Sequence, residues 1–293
     1  MRATMTVARE VELGTGARPG TCGGGEVFGP VYGERAPGLG ADVAPAEAGG
    51  ESRESTREVK GEVVSYWTGR VEGFSRLRVR EFEGELHLRW LAELERRLPA
   101  CRVLRILDVG CGTGFFSLLL SSRGHVLTGI DLTPGMVAEA RRLSERLSIP
   151  ASFEVMDAEA PDFPAASFDA IVTRNLTWSL PHLGAAYAAW HALLVPGGVL
   201  VNFDADYCRE NGGGPLPAVG AHRDLSVETM RAYERIKDEL RPSQRPRPAW
   251  DLELLSQAGF TDVGVDGGVW RRVYRERDEF FNPTPIFAIT ARA

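Results

Sequence analysis

The sequence predicts an α/β protein whose centre is a doubly wound, mostly parallel sheet. Two observations predict it. From Val103 onward, short apolar runs alternate with helical patterns, the order that builds a parallel sheet with helices on both faces. The first run ends at Asp108-Val109 and passes into three glycines spaced by one residue, Gly110, Gly112 and Gly114, before helix-like sequence resumes at once. A strand, a glycine turn and a helix together make a cradle for a nucleotide-like ligand.

Residues 1 to about 57 are dense in Gly, Ala, Glu and Pro and have almost no large apolar residues at any period. Such a segment buries too little surface to offset its ordering entropy, so a disordered tail is expected over 1–57. Order is expected from Glu58, with a short helix from Glu58 to Trp67 ending at Thr68-Gly69. A longer helix follows from about Val79 to Leu98, where Phe82, Leu86, Trp90, Leu91 and Leu94 recur at helical spacing and Pro99 stops the run. These helices read as a cap over 58–100, in front of a main domain over 101–293.

Five strands are expected at Arg105–Val109, Val126–Ile130, Ser152–Met156, Ala170–Thr173 and Val199–Asn202. The intervening helices fall at Gly114–Ser122, Gly135–Leu147 and Leu183–Leu194. Pro196-Gly197-Gly198 reads as a tight turn feeding the fifth strand. The pattern then breaks. Tyr207 to Pro248 holds a glycine-proline loop with Gly212-Gly213-Gly214, a helix near Val227–Leu240 and a basic turn with Arg241, Arg245 and Arg247. This insertion, 207–248, sits where a substrate lid belongs, and the three arginines either meet an anionic substrate or lie in solvent. A helix over Trp250–Ala258, anchored by Pro248-Ala249-Trp250-Asp251, precedes two final strands near Val263–Tyr274 and Pro285–Ala291. They give seven strands in all, the last antiparallel, in a Rossmann-like sheet.

The 293 residues carry a formal net charge of -6, with 43% hydrophobic and 25% charged residues. This is the composition of a soluble globular chain and argues against binding nucleic acid by broad phosphate neutralisation. The four cysteines (Cys22, Cys101, Cys111, Cys208) match neither a disulfide framework nor a zinc site, which points to reduced thiols in a cytoplasmic protein. The histidines are scattered, so no metal is expected. No run is long and apolar enough to span a membrane, and no secretory signal is visible.

The cradle narrows its own ligand. A P-loop needs Lys and Ser or Thr after the last glycine, and Phe115 and Phe116 stand there. A dinucleotide turn prefers GxGxxG, whereas this one is GxGxG. Asp108, two residues before the first glycine, faces a pyrophosphate badly and suits a ligand with positive charge. S-adenosylmethionine, with a sulfonium and an ammonium but no phosphate, is such a ligand. Asp131, about 20 residues past the first glycine, has the spacing of an acidic ribose ligand.

On Asp108-Val109-Gly110-Cys111-Gly112-Thr113-Gly114 the chain resembles the class I S-adenosylmethionine-dependent methyltransferases, of the small-molecule kind typified by ubiquinone- and menaquinone-biosynthesis enzymes. The resemblance runs from about Tyr66 to Ala293. It implies S-adenosylmethionine as cofactor, S-adenosylhomocysteine as product and a small-molecule substrate, in a monomer or homodimer. It implies cofactor contacts from Asp108, Gly110, Cys111, Gly112 and Gly114, and from Asp131 and Leu132 at the ribose. Asp157 and Ala158 are implied at the adenine, with Glu159 solvated, and Asn175 beside the methionine part. Tyr66-Trp67-Thr68-Gly69-Arg70 resembles the segment that folds over the cofactor, with Tyr66 as cover and Arg70 on its carboxylate, or else simple helix packing.

For the acceptor side, Trp178 either walls the transfer site or packs as a core aromatic. Alternation puts Asp204 and Asp206 on one face at the end of the fifth strand, to orient or deprotonate a substrate or to lie in solvent. Tyr207 is a candidate hydrogen-bond donor to substrate. His182 is a weaker base candidate, and His222 weaker still. Enzymes that methylate amino groups of adenine or glutamine carry Asn/Asp-Pro-Pro-Tyr/Phe where this chain has Asn175-Leu176-Thr177-Trp178, which weighs against a DNA N-methyltransferase. The alternatives kept are methylation of a macromolecule (RNA or protein), a non-catalytic cofactor-binding protein and, last, a nicotinamide-dependent oxidoreductase.

Overall fold

The computed structural model describes residues 53–100, 102–209, 226–240 and 245–293. The expected tail up to residue 52, Cys22, Cys101, the triple glycine at 212–214, His222 and Arg241 lie outside the described residues.

The strands are β1 (Arg105–Val109), β2 (Val126–Asp131), β3 (Ser152–Val155), β4 (Phe168–Arg174), β5 (Leu194–Asp204), β6 (Thr261–Asp266) and β7 (Phe287–Arg292). They form one seven-stranded sheet in the order β3-β2-β1-β4-β5-β7-β6. β1 to β5 are mutually parallel, and β7 runs antiparallel to both β5 and β6. The central strands are buried almost throughout, as sheets covered on both faces must be. Alternation along β1 sends Ile106 into one apolar layer and Leu107 and Val109 into the other.

The helices are α1 (Arg53–Glu83), α2 (Leu86–Glu95), α3 (Phe115–Ser121), α4 (Pro134–Leu147), α5 (Leu183–Leu193), α6 (Val227–Leu240), α7 (Ala249–Gln257) and α8 (Val269–Val273). The larger layer joins α1 to α4, α6 and α8 around Trp90, Phe116 and Phe203. The smaller joins α5 and α7 around Tyr187, Trp190 and Leu255. The order reverses between β1 and β4, so their carboxyl ends splay apart there. Open α/β sheets take ligands at this crevice.

Three elements differ from the sequence expectation. The N-terminal helix does not stop at Thr68-Gly69. It runs unbroken for 31 residues from Arg53, five residues before the expected start. Gly61, Gly69 and Gly73 face open space. Each costs only about 1 kcal/mol in a helix, which burial of Val59, Tyr66, Leu77 and Phe82 overrides. The break falls at Gly84 instead. Second, β5 starts at Leu194 and runs through Pro196-Gly197-Gly198. Gly197 adopts φ +76, and its N–H bonds the Ala293 carbonyl at 2.7 Å, so the turn expected there is an irregularity within a strand. Third, the run expected as a strand from Val263 to Tyr274 divides at Gly267-Gly268. There Asp266 Oδ1 accepts the Gly268 N–H at 2.8 Å and α8 begins.

Trp90 is the keystone of the larger layer. It is wholly buried, edge-on to Phe116 and Phe203 with ring centroids 5.3 Å away in each case. Trp90→Ala is expected to destabilise the fold by about 3–5 kcal/mol, read as a lower urea midpoint. A loss below about 1 kcal/mol would show that α2 is not part of this core.

Candidate active site

The cradle forms because β1 ends against β2. The Cys111 N–H bonds the Ile130 carbonyl and the Gly112 N–H bonds Asp131 Oδ2, both at 2.9 Å. Gly110, Gly112 and Gly114 all have positive φ (+67, +54 and +86), the region that favours glycine. A Cβ on Gly110 would sit 2.8 Å from the Leu176 methyl groups, so a larger residue there would have to displace that side chain as well as adopt the positive φ. Asp108 Oδ2 accepts the Ser117 N–H (2.9 Å) and hydroxyl (2.7 Å), which ties the strand end to the first turn of α3. Burial pushes the Asp108 carboxyl up to about 6, against the pull of the Ser117 bonds and of Arg174.

The cleft above the cradle encloses about 1110 Å³ of space, its open mouth included. Its floor is Asp108 and Gly110 to Thr113 after β1. Asp131 and Leu132 follow β2, Asp157 and Ala158 follow β3, and Arg174 to Leu176 close β4. Asp131 Oδ1 also accepts the Thr133 N–H at 2.8 Å. Each of its oxygens retains a lone pair for a further donor. Asp157 Oδ1 accepts the Glu159 N–H at 2.9 Å, while Oδ2 takes Lys60 Nζ at 2.7 Å.

The roof is α1, through Lys60, Val63, Trp67, Phe74 and Arg78. These positions step by three, four, seven and four, so they lie along one helix face. Beside this cleft lies a second chamber, which shares Trp67, Phe74, Arg78 and Asn175 with it. Trp178, Tyr207 and Tyr233 wall the chamber, with Trp178 edge-on to both tyrosines (centroids 5.6 and 5.3 Å). Tyr207 donates to Asn175 Oδ1 at 3.1 Å and accepts from Asn282 Nδ2 at 2.6 Å.

A family model described as "Methyltransferase domain" matches residues 106–198, the cradle and the strands around it. A phosphatidylethanolamine N-methyltransferase of Cereibacter sphaeroides is 32% identical over 166 residues, 50% of this chain and 79% of that protein. The chain belongs to the class I S-adenosylmethionine-dependent methyltransferases. An aklanonic acid methyltransferase of a Streptomyces species is 42% identical over 99 residues, 32% of this chain and 44% of that protein. A ubiquinone biosynthesis O-methyltransferase of Xanthomonas campestris is 33% identical over 161 residues, 53% of this chain and 65% of that protein. The match spans only 29% of a further relative, a phosphoethanolamine N-methyltransferase of Arabidopsis thaliana, so the chain covers less than two thirds of the length of that protein and of the aklanonic acid and ubiquinone enzymes.

The residues of the methyltransferase cleft fit the family's cofactor. Three carboxylates line a glycine cradle that a Cβ would obstruct, and the Thr113 hydroxyl, on the cleft wall, is buried without a hydrogen-bond partner. Among the described residues, no group of three or more His, Cys, Asp or Glu is placed to hold a metal ion. Among them, too, no helix is long and apolar enough to cross a membrane.

Several expected site residues stand elsewhere. Tyr66 lines neither cavity: one position along a helix is a turn of about 100°, so it packs against Tyr233 while Trp67 faces the cleft. Arg70 lines the aromatic chamber, not the cofactor cleft. His182 is exposed beside Thr56, whose Oγ1 lies 3.1 Å from its Nε2. Glu159 is not solvated: its side chain is 6% exposed, pairs with Lys60 and accepts the His182 N–H at 2.5 Å.

The largest correction concerns the acids after β5. The Asp204 side chain is wholly buried, accepts the Trp178 N–H (2.9 Å) and the Thr177 hydroxyl, and pairs with Arg247 at 3.3 Å. Arg247, also wholly buried, bonds Asp251, which accepts from the Tyr187 hydroxyl at 2.6 Å. Asp206 lines neither cavity and accepts the Arg247 N–H at 3.2 Å. These acids hold the loop together, and neither lines the cleft or the chamber. Arg245 pairs with Glu253 at 2.6 Å, so neither described arginine of the basic turn faces the chamber. Lys60, Phe74, Arg78 and Arg174 were missed. The spacing of Lys60, Val63 and Trp67 lies within the expected helix and marks its cleft face, but ending that helix at Gly69 cuts off the continuation of the face to Phe74 and Arg78.

Arg247→Met leaves Asp204 and Asp251 buried without their counter-charge. Breaking such a pair costs about 3–5 kcal/mol, so a strongly reduced Tm is expected in a thermal melt. A near-normal Tm would return Asp204 to the list of catalytic candidates.

Proposed function

We propose that this methyltransferase moves a methyl group from S-adenosylmethionine to a small-molecule acceptor held in the aromatic chamber. One observation carries the reading: the cofactor cleft and the chamber meet at Trp67, Phe74, Arg78 and Asn175, so a donor in one faces an acceptor in the other. When bound, the cofactor supplies a methyl carbon already activated by its sulfonium. The protein's part is alignment and exclusion of water.

Asp131 accepts the ribose hydroxyls on its free lone pairs, and Asp157 with Ala158 meets the adenine edge beside the Lys60 link. Gly110 and Gly112 let the amino-acid end approach the backbone, with Asp108 supplying negative charge. Trp67 and Trp178 give the sulfonium aromatic faces, which attract cations. Among the described residues no Asp, Glu or His lines the chamber, and an acceptor that enters as its own nucleophile needs none there. In-line displacement at an activated carbon calls for no metal. Tyr207 and Tyr233, both within the insertion, support its role as a lid.

Addition of S-adenosylmethionine to the full chain is expected to raise the Tm, because a ligand that binds only the native state stabilises it. No shift at millimolar ligand would sink the cofactor assignment. Asp131→Ala should weaken calorimetric affinity by about tenfold or more, and unchanged affinity would remove its ribose role. Asp108 gives a pH test. The cationic ligand favours the carboxylate, which is lost as pH falls through about 6. Affinity should therefore fall between pH 7 and 5, approaching tenfold per unit at the acid end, and Asp108→Asn should flatten the profile.

A further inference from the structure

The aromatic chamber has an unbalanced charge. Among the described residues its lining includes two arginines and no acid. Arg78 is answered by Glu81, with which it forms a buried ion pair. Arg70 is not answered: its Nε is buried without a hydrogen-bond partner, and no ion pair to it exists among the described residues. Burial lowers its pKa, and only the Tyr66 hydroxyl opposes that. The guanidinium is half-buried with its Nε unpaired, and an anionic ligand would complete it with charge-assisted hydrogen bonds.

A second orphan lies alongside. Tyr66 precedes Arg70 by four residues on α1, so the two share a helix face, and its hydroxyl is also buried without a partner. Tyr66 packs against Tyr233 and lines neither cavity, so the unmet hydrogen-bonding capacity that faces the chamber is that of Arg70, and it calls for an acceptor. The rest of the lining specifies the body that carries it. Trp67, Phe74, Trp178, Tyr207, Tyr233 and Phe281 offer flat aromatic walls, suited to offset or edge-on packing against a ring system. Asn282 and Asn175 are already engaged by Tyr207.

We propose that the acceptor is an aromatic acid, bound as its anion, with the anionic group on the Arg70 guanidinium and the ring system between the chamber's aromatic walls. This rests on the methyl-transfer reading above and names the substrate class of the same site. An acceptor of this class also suits a chamber with no side-chain base among the described residues, since it enters already ionised. If the anionic oxygen is itself methylated, its lone pair forms the O–C bond. The C–S bond breaks with its electrons left on sulfur, and no proton has to move.

The test uses the full chain and two matched probes, 1-hydroxy-2-naphthoate and its neutral amide, 1-hydroxy-2-naphthamide. Both are titrated against tryptophan fluorescence, for which Trp67 and Trp178 are local reporters. The acid is expected to quench saturably, with a Kd about tenfold lower than the amide's. Arg70→Gln should abolish that preference, and Arg70→Lys, which keeps the charge, should restore part of it. S-adenosylhomocysteine affinity, measured by calorimetry on the same variants, should stay within about threefold of the parent chain's. Equal affinity for acid and amide, no saturable quenching by the acid, or a preference that survives Arg70→Gln would each overturn the proposal. Loss of S-adenosylhomocysteine binding in Arg70→Gln would overturn it too, by assigning Arg70 to the cofactor's carboxylate. If the parent chain fails to bind S-adenosylhomocysteine, the methyl-transfer reading fails instead, whatever the naphthoate titration shows.

Discussion

Everything at the site depends on one buried ion pair, between Arg174 at the end of β4 and Glu81 near the end of α1. Their atoms approach to 2.9 Å, with side chains 8% and 1% exposed. Two charges so deeply buried are tolerable only when fully answered, and here the surroundings answer them. Arg78 adds a second cation to Glu81. The Arg174 guanidinium lies over Trp90, Phe115 and Phe116 at 4.7, 4.7 and 4.9 Å from the ring centroids, within cation–π range. Burial opposes ionisation of Glu81, yet the two guanidiniums hold its carboxyl below the usual range. The pair fixes the long helix across the carboxyl edge of the sheet. Once α1 is fixed there, Lys60, Trp67 and Phe74 must roof the cleft and Arg70 must edge the chamber.

A second buried cluster does the same for the opposite wall. Arg247, Asp204, Asp251, Thr177, Tyr187 and Asn202 form a closed polar network beneath the loop that follows β4. Its members come from β5, α5, the loop itself, α7 and the turn that leads into α7, so the network locks five segments. Asn175 adopts φ 55 at the head of this loop, and Trp178 is seated against Tyr207 and Tyr233. Charged residues that look catalytic in a linear reading are thus spent on holding aromatic walls in place. This fits a reaction whose difficult chemistry resides in the cofactor, for which geometry matters more than a side-chain base.

The strands and the cradle were largely legible because their signals are local. β1 was placed to the residue, and β2 and β3 to within one. Apolar runs bounded by glycine or proline mark a buried parallel strand, and three positive-φ glycines in GxGxG demand a tight turn whatever lies around them. The helical cap was not legible in the same way. Gly69 weakens a helix locally, and nothing local reveals that Val59, Tyr66 and Phe82 are buried by elements far along the chain. The acids after β5 failed for a related reason. Alternation puts Asp204 on the same face as Asp206, but the partner that neutralises it is 43 residues away.

The sequence by itself determined the sheet, the cradle and, with it, the family and its methyl donor, because each rests on spacing within a few residues. Tertiary structure alone decided which side chains form the aromatic chamber. Arg70 and Arg247 are both arginines of the same chain, yet Arg247 ends in a closed ion network and Arg70 has no counter-charge among the described residues. Burial and pairing are properties of segments brought together by packing, and no local pattern encodes them.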